Sequence, residues 1–206
     1  MKDLNADSVR WDLGVLYQNV NDPQIDADVR TLTTLMQAFH STYKGKLDIL
    51  LGEAIAACAD IDMLQNKAFG YVHLLNSLDT GNGPVKAKVA EMKRILSEAS
   101  GQYMTFFELE IAALDDATIE QAMSHPVVAR HRPWIDHIRV FKPFMLSEPV
   151  EGALAKRSPF SDNAWSDFFD ELESDLEFDW RGEKKTLPEV IHMMSESQNA
   201  QERAEA

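Results

Sequence analysis

Three histidines stand at six-residue intervals, at His125, His131 and His137, and form the densest group of potential metal ligands in the sequence. Six residues rotate an α-helix by about 240°, so three such side chains do not share one helical face. Pro126 and Pro133 also interrupt the segment. We therefore interpret these histidines as surface or helix-capping residues and predict no metal site among them.

The remaining nucleophile and ligand candidates are isolated. His192 and Glu196 are four residues apart, which allows a local pair on a helix surface, but two ligands do not make a zinc site. Cys58 lies among small apolar residues, and its nearest charges are the acids Asp60 and Asp62. A reactive thiolate needs an electropositive setting. We predict that Cys58 is a buried small hydrophobe and that the chain has no catalytic residue of its own.

Glu110 is the exception to an otherwise regular apolar pattern. Between Pro84 and Leu114, apolar residues recur at alternating spacings of four and three, which predicts one long helix with a single apolar stripe. The members of the stripe are Val85, Val89, Met92, Leu96, Ala99, Tyr103 and Phe106. Glu110 occupies the next position of the series and projects near the middle of the stripe.

Two roles for Glu110 are open, because an ionised carboxylate in a core costs several kcal/mol (order of magnitude) unless it is paired. Glu110 is either a groove-facing acid that meets a peptide amine or another part of a larger protein, or a buried acid paired with an arginine or a tyrosine hydroxyl. We favour the buried pair, with Arg139, Arg130 or Tyr71 as candidate partners.

Two aromatic groups and one acidic run complete the candidates. We predict that both aromatic groups belong to the core, although some would be exposed if the chain is part of a larger machine. The groups are Trp134, Phe141, Phe144 and Met145, and then Trp165, Phe168 and Phe169. The acidic run is most simply a solvated helix face, with attraction of cationic peptides as the alternative: Asp167, Asp170, Glu171, Glu173, Asp175 and Glu177.

Composition limits the function further. The 206 residues carry a formal net charge of −14, which argues against nucleic acid and anionic membrane surfaces as partners. No run of about 18 apolar residues is present, so we expect no membrane span. A single cysteine and an N-terminus without an apolar signal segment indicate a cytoplasmic protein.

Apolar periodicity predicts a mainly α fold: an up-down-up array of long helices, followed by shorter helices and one β-hairpin. The long helices are expected over residues 25–43, 47–78 and 84–114, with a possible joint near residues 59–61. The hairpin is expected around Arg181-Gly182. We treat residues 1–206 as a single domain, with a possible subdivision into a long-helix array (1–115) and a region of short helices plus hairpin (116–206).

An ordered set of short sequence features now resembles a known family. The features are Trp11-Asp12-Leu13 with Leu16-Tyr17, Tyr43 to Leu47, Tyr71 to Leu74, Phe106 to Glu110, Leu146-Ser147-Glu148, Ala164-Trp165, the hairpin and Arg203. Together they resemble the N-terminal region of oligoendopeptidase F, a member of the M3 (thimet-type) zinc metallopeptidases. The similarity covers nearly the whole chain.

The resemblance implies a role within a larger enzyme. Members of the family carry a C-terminal catalytic domain whose His-Glu-x-x-His helix and downstream glutamate hold zinc, and this motif is absent here. The N-terminal helical lobe of the family forms a wall and lid of a channel that admits short unfolded peptides. We therefore expect no cofactor in this chain, zinc in the missing catalytic domain, and that domain and short peptides as partners.

Three functions stay open at this point. The first is the substrate-channel or lid lobe of such an oligopeptidase, inactive alone, as a fragment or truncated product. The second is a free-standing helical interaction or adaptor protein without catalysis, and the third is an autonomous enzyme with an unrecognised site. An uncovered apolar face would also allow a homodimer of the isolated chain.

Overall fold

The computed structural model describes residues 12–174 and 176–205. Trp11 and Asp175, which the sequence singled out, therefore lie outside the described residues. Described elements divide into two compact units, residues 1–157 and 158–206. The division thus falls later than the subdivision at residue 115 expected from the sequence, because the short helices after Leu114 pack against the long ones.

The first unit is a set of eight described helices. They are α1 (Pro23–Tyr43), α2 (Leu47–Leu78), α3 (Gly83–Tyr103), α4 (Phe106–Ala113), α5 (Asp116–Ala122), α6 (Pro126–Arg130), α7 (Arg132–Val140) and α8 (Glu148–Arg157). Short 3₁₀ turns cover Leu13–Val15 and Lys142–Phe144. The second unit holds a 3₁₀ turn at Ser158–Phe160, α9 (Asp162–Ser174), β1 (Glu177–Trp180), β2 (Glu183–Thr186), α10 (Leu187–Glu196) and α11 (Ala200–Glu205). The predicted mainly α fold with one hairpin is confirmed.

The three long helices alternate in direction, as predicted. One core cluster joins the start of α1 to the end of α2 and the start of α3, through residues such as Ile25, Val72 and Val85. A second cluster joins the end of α1 to the start of α2 and to α4, through residues such as Phe39, Leu51 and Phe106. Therefore α2 lies antiparallel to both of its neighbours, α1 and α3.

α2 runs without a joint near residues 59–61. Its irregularity lies at Leu50, whose backbone angles (φ −111°, ψ 21°) leave the helical region. At the other end of the array, the side chain of Asn82 accepts a hydrogen bond from the Val85 N–H and caps α3.

The helix predicted over Pro84–Leu114 is two helices, and the prediction of one is wrong. α3 ends at Tyr103 and α4 begins at Phe106. At the break the Thr105 hydroxyl donates to the Gly101 carbonyl oxygen at 3.2 Å, a side-chain bond of the kind that bends helices. The apolar stripe up to Ala99 is buried, as is Phe106. Beyond Thr105 a new helix begins, so the spacing of the stripe no longer predicts the direction in which a side chain points.

A close crossing fixes α8 on α3. A Cβ added to Gly152 would lie 2.5 Å from the Gly101 carbonyl oxygen, and a Cβ added to Gly101 would lie 2.6 Å from the Gly152 carbonyl oxygen. Only glycine at both positions permits this approach. Lys156 on α8 also pairs with Glu98 on α3, at 3.1 Å.

In the second unit β1 and β2 pair antiparallel, with Glu177 opposite Thr186 and Trp180 opposite Glu183. Arg181 (φ 54°) and Gly182 (φ 83°) supply the two positive φ angles of a tight hairpin turn. The Arg181 guanidinium lies 4.4 Å above the Trp180 ring and pairs with Glu202 and Glu205 of α11. These contacts tie the turn to the last helix.

Candidate functional site

Glu110 is half-buried on α4, and its carboxylate lies against the loop between α1 and α2. Both of its oxygens accept from the Gly45 N–H, at 3.0 and 2.9 Å. Gly45 has φ 73°, a left-handed conformation that glycine adopts without strain. Glu110 thus binds the turn that follows α1.

Of the partners predicted for Glu110, Tyr71 packs its ring against Tyr17 and Arg139 binds other groups. Arg139 donates to the Leu114 carbonyl oxygen and to Asp116. Burial raises the pKa of Glu110, and the Gly45 hydrogen bond and nearby Lys44 offset this only in part. The structure therefore gives Glu110 a backbone partner, and its role stays a prediction that mutation can test.

The three spaced histidines serve local structure. The Nδ1 of His125 accepts from the Val127 N–H at the start of α6, and its ring packs directly on Gly52 of α2. His131 Nδ1 lies 2.7 Å from the Val127 carbonyl oxygen. His137 stacks edge-on against Phe141. His192 and Glu196 are both exposed on α10.

Cys58 is half-buried on α2 and faces carboxylates. Its Sγ lies 4.0 Å from an Asp62 carboxylate oxygen. Burial, then Asp62 and Glu108, raises the pKa of Cys58 to about 12. The thiol is therefore neutral at physiological pH and is a poor nucleophile.

Cys58 lies in the wall of a groove of about 760 Å³ in the first unit. Residues of α2, the α3–α4 junction, α7, the Lys142–Phe144 turn and α8 form this groove, and we call it the α2–α8 groove. Its apolar surface includes Phe107, Trp134, Phe141 and Phe144, and its acids are Asp62, Glu108 and Glu151. Glu110 is not among the lining residues.

The aromatic residues predicted as core are in part exposed. In the first unit, Phe141 is 48% and Phe144 is 76% exposed, whereas Trp134 and Met145 are partly buried against the core. In the second unit, Trp165 is 73% and Phe169 is 59% exposed, and Phe168 is exposed beside them. The prediction of a buried Trp165 group is wrong: α9 turns its apolar face, together with its acidic face, to solvent.

A polar cluster that the sequence did not reveal lies where the segment before α1 meets α1 and α2. Asp28 of α1 is buried and accepts from the Tyr17 hydroxyl at 2.7 Å, from Gln24 Nε2 at 2.7 Å and from Lys67 Nζ at 3.1 Å. Burial alone would raise the pKa of Asp28, but the three donors lower it below its ordinary value. Lys67 also lies over the Tyr17 ring, 4.5 Å from its centroid. Only the folded chain brings Tyr17 and Lys67 to Asp28, so periodicity could not find this cluster.

The described residues do not fit a zinc ion. Among them no group of three or more histidine, cysteine, aspartate or glutamate side chains could hold a metal. None of the helices in the described ranges combines the length and apolar character that a bilayer crossing requires.

Comparison with known proteins identifies relatives of this arrangement. The N-terminal domain model of the M3 peptidases, described as Oligopeptidase F, matches residues 110–178. The crystal structure of oligoendopeptidase-F from Enterococcus faecium matches with 26% sequence identity and a TM-score of 0.66. Among curated proteins no relative matches the chain.

The structural match is unequal in coverage, since it includes 88% of this chain but only 37% of the Enterococcus faecium protein. The chain thus spans well under half the length of that relative. Sequence and fold agree with the resemblance carried by the ordered sequence features. The two matches together support the similarity of this chain to the N-terminal part of oligoendopeptidase F, in the M3 peptidase family.

Proposed function

We propose that the chain is the substrate-channel and lid lobe of a zinc-dependent oligoendopeptidase that acts on short peptides. The observation that carries this proposal is the coverage of the structural match: nearly all of this chain corresponds to little more than a third of an oligoendopeptidase. The His-Glu-x-x-His motif, which the resemblance implies for the catalytic domain, does not occur in the 206 residues.

The exposed apolar surface supports a lobe that works with another protein part. Each described unit exposes large aromatic side chains, at Phe141 and Phe144 in the first and at Trp165, Phe168 and Phe169 in the second. Exposed apolar patches of this kind mark surfaces that bind a partner or a ligand. We propose the C-terminal catalytic domain of the same enzyme and its peptide substrates as those partners.

In this proposal the chain does not cleave peptides alone, and zinc belongs to the catalytic domain. The lobe would admit extended peptides and close over them, as lids do in other enzymes. In isolation the uncovered aromatic residues would favour a homodimer. We further propose a cytoplasmic location, which rests on the single cysteine.

The reading frame beyond Ala206 tests this function. We expect a His-Glu-x-x-His sequence in the extended frame, and peptide cleavage by the longer protein that a chelator abolishes. The control is the longer protein with the motif glutamate changed to glutamine, which should fold and bind zinc but not cleave. An extended frame without the motif would favour the adaptor alternative and contradict the proposal.

A further inference from the structure

We propose that the α2–α8 groove binds a cationic side chain of a peptide, flanked by apolar side chains. This inference deepens the proposed function, on which it rests, by naming the substrate chemistry that the lobe would select. It concerns a surface of the first unit alone, so it depends on no arrangement of the two units.

The aspartate and glutamate residues that line the groove face no lysine or arginine among the other lining residues. Asp62 of α2, Glu108 of α4 and Glu151 of α8 line it, and no lysine or arginine is among its lining residues. Glu151 accepts the Leu146 N–H at 2.8 Å. Within the described ranges, neither Asp62 nor Glu108 forms an ion pair with a basic residue. Both carboxylates are therefore available to a cation from outside.

Two of these carboxylates, Asp62 and Glu108, line the same groove wall as Cys58. Asp62 is 4.0 Å from the Cys58 sulfur, and Asp62 and Glu108 both act on the ionisation of that thiol. Partial loss of water around Asp62 raises its pKa. A bound guanidinium or ammonium group would relieve this cost, since an opposite charge favours the ionised carboxylate.

The apolar part of the groove fits the rest of such a ligand. The exposed Phe141 and Phe144 and the partly buried Trp134 line the same groove as the acids. Guanidinium groups stack on aromatic faces, and apolar side chains can cover the remaining rings. The volume of about 760 Å³ lies within the range of about 300–1,000 Å³ that is typical of ligand sites, enough for a short peptide segment.

Calorimetric titration with an acetylated, amidated pentapeptide of one arginine between leucines tests the inference. We expect saturable binding to the 206-residue chain. Peptides with citrulline or glutamate in place of arginine should bind about tenfold more weakly or not at all, since they lose the charged contact with the acids of the groove.

Matched variants separate the groove from general charge attraction. The double variant Asp62→Asn with Glu108→Gln should bind the arginine peptide at least about tenfold more weakly. The control, Asp48→Asn with Glu53→Gln, makes the same change of net charge at exposed positions of α2 outside the groove lining, and should change affinity by less than about twofold. Phe144→Ser should weaken binding by about tenfold through the aromatic surface.

Several outcomes would overturn the assignment. They are equal binding by the parent and the folded double variant, equal binding of the glutamate peptide, and no effect of Phe144→Ser. Binding that disappears in the longer enzyme would overturn it too, because a segment of the enzyme would then cover the groove. Since titration requires no catalysis, these failures differ from a missing zinc motif, which would contradict the proposed function instead.

Discussion

Two regions of the long-helix array hold their acids in opposite ways. At the Asp28 cluster, each oxygen of the carboxylate has a donor from Tyr17, Gln24 or Lys67, and the pKa of Asp28 is lowered. At the α2–α8 groove, Asp62 lacks a basic partner within the described residues, and its pKa is raised by burial. Tyr17, which binds Asp28, is 2% exposed, whereas Phe144, which lines the same groove as Asp62, is 76% exposed.

The difference separates a structural acid from an acid available for binding. Pairing inside the fold satisfies a buried carboxylate and holds its neighbours in place. Asp62 is partly desolvated in a groove with exposed aromatic rings, and no basic partner within the described fold offsets the cost of its charge. The free energy of unfolding should therefore depend strongly on Asp28 and weakly on Asp62.

Asp28→Ala should have the largest effect. The substitution leaves the buried Tyr17 hydroxyl without its acceptor and removes the ion pair with Lys67, so we expect a loss of about 3 kcal/mol in the free energy of unfolding. Urea unfolding followed by circular dichroism measures it. The control is Asp26→Ala, at a residue that lies on α1 like Asp28 but is exposed. It removes a surface ion pair with Lys88 of α3 and should cost less than about 1 kcal/mol of unfolding free energy. Equal losses of unfolding free energy for Asp28→Ala and Asp26→Ala would contradict the structural role assigned to Asp28.

Gly152→Ala should come next. Its Cβ would lie 2.5 Å from the Gly101 carbonyl oxygen, so α8 must move away from α3, at a cost of about 1–3 kcal/mol. Since α8 carries Glu151, peptide binding to the groove should weaken as well. The control Gly70→Ala adds a methyl group where no atom lies within 4 Å, and should stabilise α2 by up to about 1 kcal/mol. An unchanged melting temperature for Gly152→Ala would contradict the close crossing.

The pH dependence of stability isolates the Asp28 contribution. The pKa of Asp28 lies below its ordinary value of 3.8 in the folded chain, so its carboxylate stabilises the fold above about pH 4 and less as pH falls through the folded-state pKa. The stability difference between the parent and Asp28→Asn should therefore shrink between about pH 4 and pH 2. A difference that stays constant over this interval would mean that Asp28 is not held as a carboxylate.

Asp62→Asn should leave stability almost unchanged, within about 0.5 kcal/mol, because it removes a charge that the fold does not pair. Thermal unfolding of the variant beside Asp28→Asn makes the comparison directly. A loss as large as that of Asp28→Asn would show an internal partner for Asp62 and would remove the reason to assign it to binding.

Glu110→Gln should have the smallest effect. The amide keeps an acceptor for the Gly45 N–H, and the raised pKa of Glu110 means that its ionisation opposes folding at neutral pH. We expect a melting temperature at pH 7 within about two degrees of the parent, or slightly higher, and convergence of the two proteins in acid. A clear decrease would restore the buried ion pair predicted from the sequence.

Periodicity and turn chemistry predicted much of the fold. The stripe from Val85 to Ala99 is buried because its spacing alone places it on one helical face. The hairpin follows from the turn at Gly182, with its positive φ angle, and from the aromatic residues Phe178 and Trp180 before it. These signals are local, so the sequence carries them directly.

The break at Thr105 and the position of Glu110 were not predictable in the same way. A threonine occurs in many uninterrupted helices, and only its hydrogen bond to Gly101 and the crossing of α8 mark this one as a bend. Beyond the bend, Glu110 meets Gly45, which is 65 residues away in the sequence. The groove likewise combines α2, α4, α7 and α8, so its acids and aromatic residues had no common motif.

The proposed function requires that these helices cover a reaction centre that they do not themselves contain. Zinc analysis of the purified 206-residue chain, with a fluorogenic peptide assay in the presence and absence of a chelator, tests it most directly. The account predicts no stoichiometric zinc and no peptide cleavage under either condition. Cleavage that the chelator abolishes would contradict it, because this chain would then hold the metal and perform the chemistry itself.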